Sequence, residues 1–269
     1  MIFVIDFNSI NMRPIWTGAI GFGLVNIPVK LFSATQSSNL DLDMLDKKDL
    51  SNIRYQRVNE STGKEVDWND IVKGYKYNDH YVVVTPKDFE IASAKKTKVI
   101  EISNFVNEEE IDTIYYETPY YLEPEKSGQR AYALLREALA KTNKVGVASF
   151  VLRNKESLAV LKPHEDVIVL NRVRFNEEIR TIDEFNLPEK KEVKSAELQM
   201  AVTLINQLST KFNMAQYKNK YSAELLALIK EKAKGKKIKE PQLKVVHRQT
   251  KDLMAQLKES LERKHKKVS

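Results

Sequence analysis

Cysteine is absent from the 269-residue chain. This absence excludes disulfide bonds, thiol catalysis and zinc sites with cysteine ligands, and it is typical of proteins from a reducing compartment. No hydrophobic run approaches the roughly 20 residues that a transmembrane helix needs. The apolar start MIFVI has no basic residues before it and is followed by Asp6, so it does not resemble a signal peptide. We therefore expect a cytoplasmic protein, in which residues 1–11 form an N-terminal extension and Met12 is an alternative start.

Motifs that carry catalysis are missing as well. The histidines are scattered, and no H-E-x-x-H, no G-x-S-x-G and no histidine pair at i, i+4 occurs. Ser61-Thr-Gly-Lys64 matches the S-x-x-K pair of penicillin-recognising enzymes, but the S-D-N and K-T-G companions are absent, so a hairpin loop is the better interpretation. The sequence therefore predicts no catalytic residue, and a protein that binds rather than an enzyme.

Metal and nucleotide sites are also not predicted. A calcium-binding EF-hand loop is not predicted for Asp41, Asp43 and Asp46, because their spacing differs from that of the EF-hand ligands and the EF-hand glycine is missing. The glycines of WTGAIGFGLVNIPVKLF, residues 16–32, run in the order G-x-x-G-x-G, the reverse of a dinucleotide fingerprint, and no Gly-Lys-Ser/Thr follows them. Apolar and polar residues alternate after Gly23, which indicates a half-buried strand in which the glycines allow bends. We predict no metal and no cofactor.

Positive charge is concentrated near the C-terminus. The chain carries a net charge of +7, and residues 230–269 contain fourteen Lys or Arg against five Asp or Glu, so the other residues are slightly acidic. A basic tail of this kind favours a polyanionic partner, and in a cytoplasmic protein nucleic acid is the first candidate. A tail that only increases solubility is the alternative.

Periodicity predicts strands first and helices later. We predict strands at 13–35, 53–58, 81–84, 99–102, 115–116, 120–122, 145–152, 158–161 and 167–170. Thr85-Pro86 with Asp88 predicts a short helix that ends near Ser93, and Ala131, Leu134, Leu135, Ala138 and Leu139 predict a second helix. Apolar stripes predict three more helices: a long one through Leu198 to Phe212, one that starts at Ser222 and ends at Gly235, and one at about 249–265. Short strands separated by Pro or Gly favour a barrel or a sandwich.

Basic residues are interleaved with aromatic ones in the first third of the chain. We predict that the following residues bind DNA: Arg54, Arg57, Lys64, Lys73, Lys76, Lys95, Lys96, Lys98 and Arg153, with Lys234, Lys236 and Lys237 from the tail. Lys and Arg neutralise phosphates without reading the bases. For each residue taken singly, a solvated surface charge is the alternative.

Several blocks in this order resemble the prokaryotic Ku family, the DNA-end-binding proteins of bacterial non-homologous end joining. The blocks are WTGAIGFGLVNIPVKLFSAT (16–35), NESTGKEVDWNDIVKGYKY (59–77), YYLEPEKSGQRAYALLREAL (120–139), SAELQMAVTLINQLSTKF (195–212), KYSAELLALIKEKAKGK (220–236) and DLMAQLKESL (252–261). They extend from about Met12 to Leu261, and their order and spacing make the resemblance specific.

The resemblance implies an α+β fold with a mainly antiparallel β-barrel core, a long bridging insertion and a C-terminal helical arm. The implied parts are the extension at 1–11, the core at 12–190 with its bridge at about 50–82, the arm at 191–235, and a basic linker with an amphipathic helix at 236–269. It also implies a ring-shaped homodimer that threads and protects double-stranded DNA ends without reading sequence, near the nucleoid. The chain itself would perform no catalysis and would recruit an ATP-dependent DNA ligase of the ligase D type.

This sequence departs from the family pattern in several places. Some relatives carry a Cys pair where this chain has Val58-Asn-Glu-Ser-Thr-Gly-Lys64, so we predict no zinc there. Asp46 stands where relatives often have His, and Phe212-Asn-Met-Ala-Gln-Tyr217 replaces a more usual turn.

The last helix suggests how a partner would be recruited. Leu253, Leu257 and Leu261 form an apolar stripe beyond a basic linker, which we interpret as a docking face for the ligase. Packing of this stripe on the core is the alternative. The alternative function is a general nucleic-acid-binding or nucleoid protein that acts through its basic tail, and an enzyme with a spatial site is a third hypothesis.

Overall fold

A computed structural model describes residues 12–92, 98–189, 193–236 and 253–265, with the side chains of the last range described to Leu261. The chain divides into two compact units. The first contains residues 1–37 and 43–180, and the second contains residues 38–42 and 181–269. None of the helices in the described ranges combines the length and the hydrophobicity that crossing a bilayer requires.

The first unit is built on a closed barrel of seven strands. The strands within the described residues are β1 (Trp16–Phe22), β2 (Val25–Ser33), β3 (Lys73–Tyr77), β4 (His80–Val84), β5 (Val99–Asn107), β6 (Tyr116–Pro124), β7 (Lys144–Leu152), β8 (Lys155–His164) and β9 (Val167–Val173). The order around the barrel is β1-β2-β6-β9-β8-β7-β5, and β3 and β4 form a separate hairpin. All barrel pairs are antiparallel except the one between β1 and β5, which closes the barrel in parallel. The predicted α+β class with a barrel core is confirmed.

Alternating side chains fill the barrel. On β2, Ile27, Val29 and Leu31 are fully buried, while Pro28 and Lys30 between them are half-buried on the outer side. This is the period-two pattern of a strand with one face in the core. The buried residues join those of the other strands in a single large apolar cluster.

Helix α2 (Gln129–Thr142) closes one end of the barrel. It follows the end of β6 and precedes the start of β7, and its Tyr132, Leu135 and Leu139 belong to the barrel core. The Tyr132 hydroxyl donates to the Leu122 carbonyl at 2.6 Å and accepts from the Ile168 amide at 2.6 Å, which ties β6 to β9. Burial raises the pKa of this hydroxyl. We call this end of the barrel the helix end.

The other helices are α1 (Pro86–Ala92) in the first unit and α3 (Ser195–Leu208), α4 (Lys220–Ala233) and α5 (Leu253–His265) in the second. Helix α1 starts as predicted, because the Asp88 carboxylate accepts from both the amide and the hydroxyl of Thr85. These hydrogen bonds lower the pKa of Asp88. Gly235 adopts a φ of 75° just after α4 and ends that helix as predicted.

Several predicted elements are wrong in detail. Residues 53–58 form no strand and contribute only an isolated bridge from Val58 to Glu65. The two predicted strands at 115–116 and 120–122 are one continuous strand, β6. Leu134 lies 71% exposed, outside the buried face of α2. Helix α3 ends at Leu208, so Phe212 lies beyond it.

The pairing of β6 with β9 is interrupted by a β-bulge. The register shifts between Tyr116 and Thr118, which leaves Glu117 as the extra residue. Arg172 on β9 donates to both carboxylate oxygens of Glu117, with Nε to Oε2 at 2.9 Å. This pairing with Arg172 lowers the pKa of the Glu117 carboxyl.

We predict that Gly18→Ala destabilises the fold by about 2–3 kcal/mol, the cost typical of forced overlap in a packed site. A Cβ at Gly18 would lie 2.2 Å from the Lys98 carbonyl oxygen and 2.2 Å from the Trp16 ring, at the place where β1 meets β5. Gly63→Ala is the control, because Gly63 has a positive φ but no atom within 4 Å of the added carbon, so about 1 kcal/mol is expected. Urea unfolding measures both variants, and a Gly18→Ala protein as stable as the control would contradict the close packing at β1 and β5.

The Glu117–Arg172 pair predicts a pH dependence of stability. Because the pKa of Glu117 is lower in the folded chain than in the unfolded one, the stabilisation is present above the unfolded value and is lost as the pH falls through the folded value. The stability difference between wild type and Glu117→Gln should therefore be largest near neutral pH and should shrink in acid. Urea unfolding at several pH values measures it. Arg172→Gln should remove the same pH dependence, and a difference that stays constant in acid would show that the pair does not act this way.

Candidate nucleic-acid interface

The long insertion between β2 and β5 forms most of the candidate interface. It leaves the barrel after Ser33 and returns at Lys98, both at the end opposite α2, which we call the insertion end. We call its residues 43–92 the hairpin segment. This segment belongs to the first unit, and the chain reverses direction in it three times, in three successive hairpins. None of these fifty residues is buried.

Local side chains make the first two turns of the hairpin segment. In the first, Asp46 accepts from the Lys48 amide at 2.8 Å and pairs with Ser51 through the backbone. Asp46 therefore shapes this turn. In the second, the Asn59 side chain accepts from the amides of Ser61 and Thr62, and Gly63 has a φ of 66°. The hairpin loop predicted for Ser61–Lys64 is thus present.

The third hairpin is the pair β3–β4. Asn78 and Asp79 at its turn have φ values of 42° and 58°, which these residue types tolerate best among those with a side chain. Lys73 lies opposite Val84 and Lys76 lies opposite Tyr81. Because successive side chains of a strand point to opposite faces, Lys73 and Lys76 project from opposite faces of this hairpin. The Lys73 ammonium lies 5.0 Å from the centre of the Phe89 ring.

Two predicted cations of the hairpin segment are fully solvent-facing, and a third stacks on an aromatic ring. The Arg57 guanidinium lies 4.4 Å from the centre of the Trp68 ring, a cation–π contact that orients it. Arg54 and Lys64 are exposed and make no ion pair within the described residues. The segment contains ten acidic and eight basic residues, so any phosphate contact would depend on particular side chains rather than on its net charge.

The insertion end of the barrel carries further cations. Lys98 directly precedes β5 and Arg153 follows β7, and the antiparallel pairing of these strands brings both residues to this end. Lys155, Arg172 and Arg174 lie there too and were not among the predicted DNA-binding residues. Arg172 is paired with Glu117, Lys155 lies 3.8 Å from Glu178, and Arg174 donates to the Tyr116 carbonyl at 2.9 Å. Lys98 and Arg153 are exposed and make no ion pair in the part of the chain that the structure describes.

Arg153 occupies an unusual backbone position. With Asn154 it forms the two-residue turn between β7 and β8, and the φ values of the two residues are 52° and 65°. Positive φ at both central positions defines a type I′ turn, which favours Asn-Gly. Arginine is disfavoured there, and strained residues that persist are often found at functional sites. The turn holds the Arg153 side chain at the edge of the insertion end.

The predicted cations near the C-terminus lie in different surroundings. Lys234 and Lys236 are both paired with Glu231, at 3.4 Å and 2.5 Å, so their charge is partly neutralised. Lys95, Lys96 and Lys237 lie outside the described residues. The DNA-binding roles of all these residues remain predictions.

The docking stripe on α5 is partly covered. Leu257 and Leu261 are half-buried, and α5 lies against α3, whereas Leu253 is 54% exposed. The three leucines therefore do not form a uniformly exposed face. No cluster of three or more potential metal-ligating side chains occurs among the described residues, and the absence of a metal site remains a prediction.

Comparison with known proteins identifies the family. The family model described as "Ku70/Ku80 beta-barrel domain" matches residues 21–200. A "Non-homologous end joining protein Ku" of Coxiella burnetii is 39% identical over 262 residues, covering 94% of this chain and 96% of the relative. The proteins of the same name from Cupriavidus necator and Archaeoglobus fulgidus are 44% and 38% identical, over 82% and 84% of this chain and 67% and 90% of their own lengths.

Among solved structures, the SPOC domain of human PHD-finger protein 3 aligns with a TM-score of 0.30 and 11% identity, over 60% of this chain and 95% of that domain, which is too weak a match to interpret. The family model spans the barrel, and the Coxiella protein is similar over nearly its whole length. This chain belongs to the Ku family.

Proposed function

We propose that this chain binds the ends of double-stranded DNA without reading their sequence and acts in non-homologous end joining. In this proposal two copies form a ring around the duplex, protect its end and recruit an ATP-dependent DNA ligase of the ligase D type. The Ku relatives, which are named for non-homologous end joining, support this role. The chain itself would supply no catalysis, so the recruited ligase would perform the chemistry.

The hairpin segment is the observation that carries the proposal. It exposes fifteen large apolar side chains: Met44, Leu45, Leu50, Ile53, Tyr55, Val58, Trp68, Ile71, Val72, Tyr75, Tyr77, Tyr81, Val82, Val83 and Ile91. Exposed apolar surface of this extent marks a site of association. A second copy of the segment offers the same apolar surface and could cover it symmetrically. This arrangement supports a dimer in which two hairpin segments together span the duplex.

The exposed cations of the hairpin segment and of the insertion end support contacts to the DNA backbone. Arg54, Lys64, Lys98 and Arg153 are exposed and unpaired within the described residues, so their charge is available to phosphates. Phosphate contacts supply affinity that does not depend on sequence. A protein that must accept any broken end needs this kind of contact.

End binding predicts a clear competition result. Labelled linear duplex bound to the protein should be displaced by unlabelled linear DNA but not by covalently closed circles of the same sequence, because a ring must load over an end. A gel-shift competition at moderate salt measures this. Linearising the same circles with a restriction enzyme is the matched control and should restore competition. Equal competition by closed circles would contradict the ring and would favour lateral binding through the basic tail.

Arg153→Asn should change stability and DNA affinity in opposite directions. Asparagine suits the first position of a type I′ turn, so the free energy of unfolding should rise by about 0.5–1 kcal/mol. Loss of a charge-assisted phosphate contact should weaken binding to a linear duplex by about tenfold and should reduce the dependence of log affinity on log salt concentration.

Urea unfolding and salt-dependent gel shifts measure the two effects. Asn154→Gly is the matched control, since it also relieves the turn but keeps the arginine, and its affinity should remain that of wild type. If Arg153→Asn binds linear duplex with the affinity of wild type, Arg153 does not contact the DNA.

A further inference from the structure

Helix α5 packs on one face of α3 within the second unit. The residues of α3 that are half-buried recur at spacings of three or four and so share one side of the helix: Glu197, Met200, Ala201, Leu204 and Gln207. Among the elements of the described chain, α3 is the one that α5 contacts extensively. The covered side of α3 is therefore the side that receives α5.

Helix α5 has a single apolar stripe and uses it for this contact. Met254, Leu257 and Leu261 are half-buried, while Glu259 on the opposite side is exposed, as are Lys258 and Ser260 at the edges of the stripe. The same leucines form the stripe that the sequence predicts as a docking face. One helical face cannot contact α3 and an external partner at the same time.

We propose that α5 is a latch that hides its own docking face against α3, so that a partner must displace α5 from α3 before it can bind. This inference rests on the proposed recruitment of a ligase through α5. The contact between α5 and α3 carries it, since that contact occupies the leucines that recruitment would need. Leu253, which is 54% exposed, remains available as the first point of contact for the partner.

The latch covers only part of the apolar surface of α3. Leu198, Val202, Ile205 and Leu208 remain exposed. At about 100° per residue, Leu198, Val202 and Ile205 lie roughly 130° around the helix from the side that receives α5, whereas Leu208 is the last residue of α3. The side chains within the α3–α5 contact are half-buried rather than buried. A contact of this limited extent can open without the loss of α3 or of the barrel.

Thiol protection tests the latch without the ligase. The chain has no cysteine, so Met254→Cys introduces a single thiol on the covered stripe of α5. In that background, Leu204→Asp places a charge in the contact and should raise the alkylation rate of the thiol by about tenfold, because it favours the open state. Asn206→Asp adds the same charge on an exposed side of α3 and should leave the rate unchanged. Circular dichroism checks that α3 remains helical, and Leu204→Ala should give a smaller increase in the same direction.

The ligase experiment separates the latch from the recruitment. With a ligase of the ligase D type, the Leu204→Asp protein should bind more tightly than wild type. Its gain in affinity should be about the same factor as the increase in the alkylation rate of the thiol. Leu257→Asp should abolish binding. A thiol equally reactive in wild type and in Leu204→Asp would overturn the latch. Binding that falls in Leu204→Asp as it does in Leu257→Asp would also overturn it, because α3 would then belong to the docking surface. A protected thiol with no ligase binding to either helix would support the latch and refute the recruitment.

Discussion

The parallel pairing of β1 with β5 is the constraint on which the rest of the architecture depends. The other barrel pairs are antiparallel, but β1 and β5 run in the same direction. Strand β2 brings the chain back to the end of the barrel where β1 begins, and β5 begins at that end too. The insertion between β2 and β5 therefore leaves and re-enters the barrel at the same end. The Ala19 amide donates to the Lys98 carbonyl at 2.8 Å, and Gly18 allows the close approach of the two strands. Closure leaves the barrel without a free edge, so association through strand addition is excluded for it. In the proposed function, the insertion and the barrel end from which it leaves carry the surface for DNA.

The hairpin segment satisfies its backbone locally but has no core. The side chains of Asp46 and Asn59 close its first two turns, and the third turn holds Asn78 and Asp79 at positive φ. Backbone hydrogen bonds connect β3 with β4. Isolated two-stranded hairpins are marginally stable in water because they bury little apolar surface. Full burial of one large apolar side chain contributes about 1.5–3 kcal/mol. Covering even a few of the exposed apolar side chains of the hairpin segment would therefore decide whether the segment keeps a single conformation. In the proposed dimer, the second copy supplies this burial, and the same assembly encloses the duplex.

Local patterns predict the barrel strands well because one face of each strand is in the core. The alternation on β2 and the Thr85–Asp88 cap of α1 are both readable from neighbouring residues. Strand β3 was missed because Lys73-Gly-Tyr-Lys-Tyr77 is exposed on both faces, so no alternation marks it. The pairing of Glu117 with Arg172 depends on a bulge and on residues 55 positions apart, which no local pattern contains. For the candidate site, the sequence indicates which residues are cationic, but only the strand β3, which the sequence did not reveal, shows that Lys73 and Lys76 face opposite ways.

The same balance of burial and entropy explains why a latch on α3 can open. Half-burial of Met254, Leu257 and Leu261 contributes about half of the 1.5–3 kcal/mol for each side chain, or about 2–4 kcal/mol together. Closing the connection between the two helices, stretch 209–252 with α4 inside it, costs about 3 kcal/mol by the logarithmic dependence on loop length when the residues of α4 are left out. The two quantities are similar, so α5 is held weakly, and a partner that buries the same leucines more completely displaces it. Because that partner would also cover Leu253, which α3 leaves exposed, it gains apolar contact that the closed latch does not have.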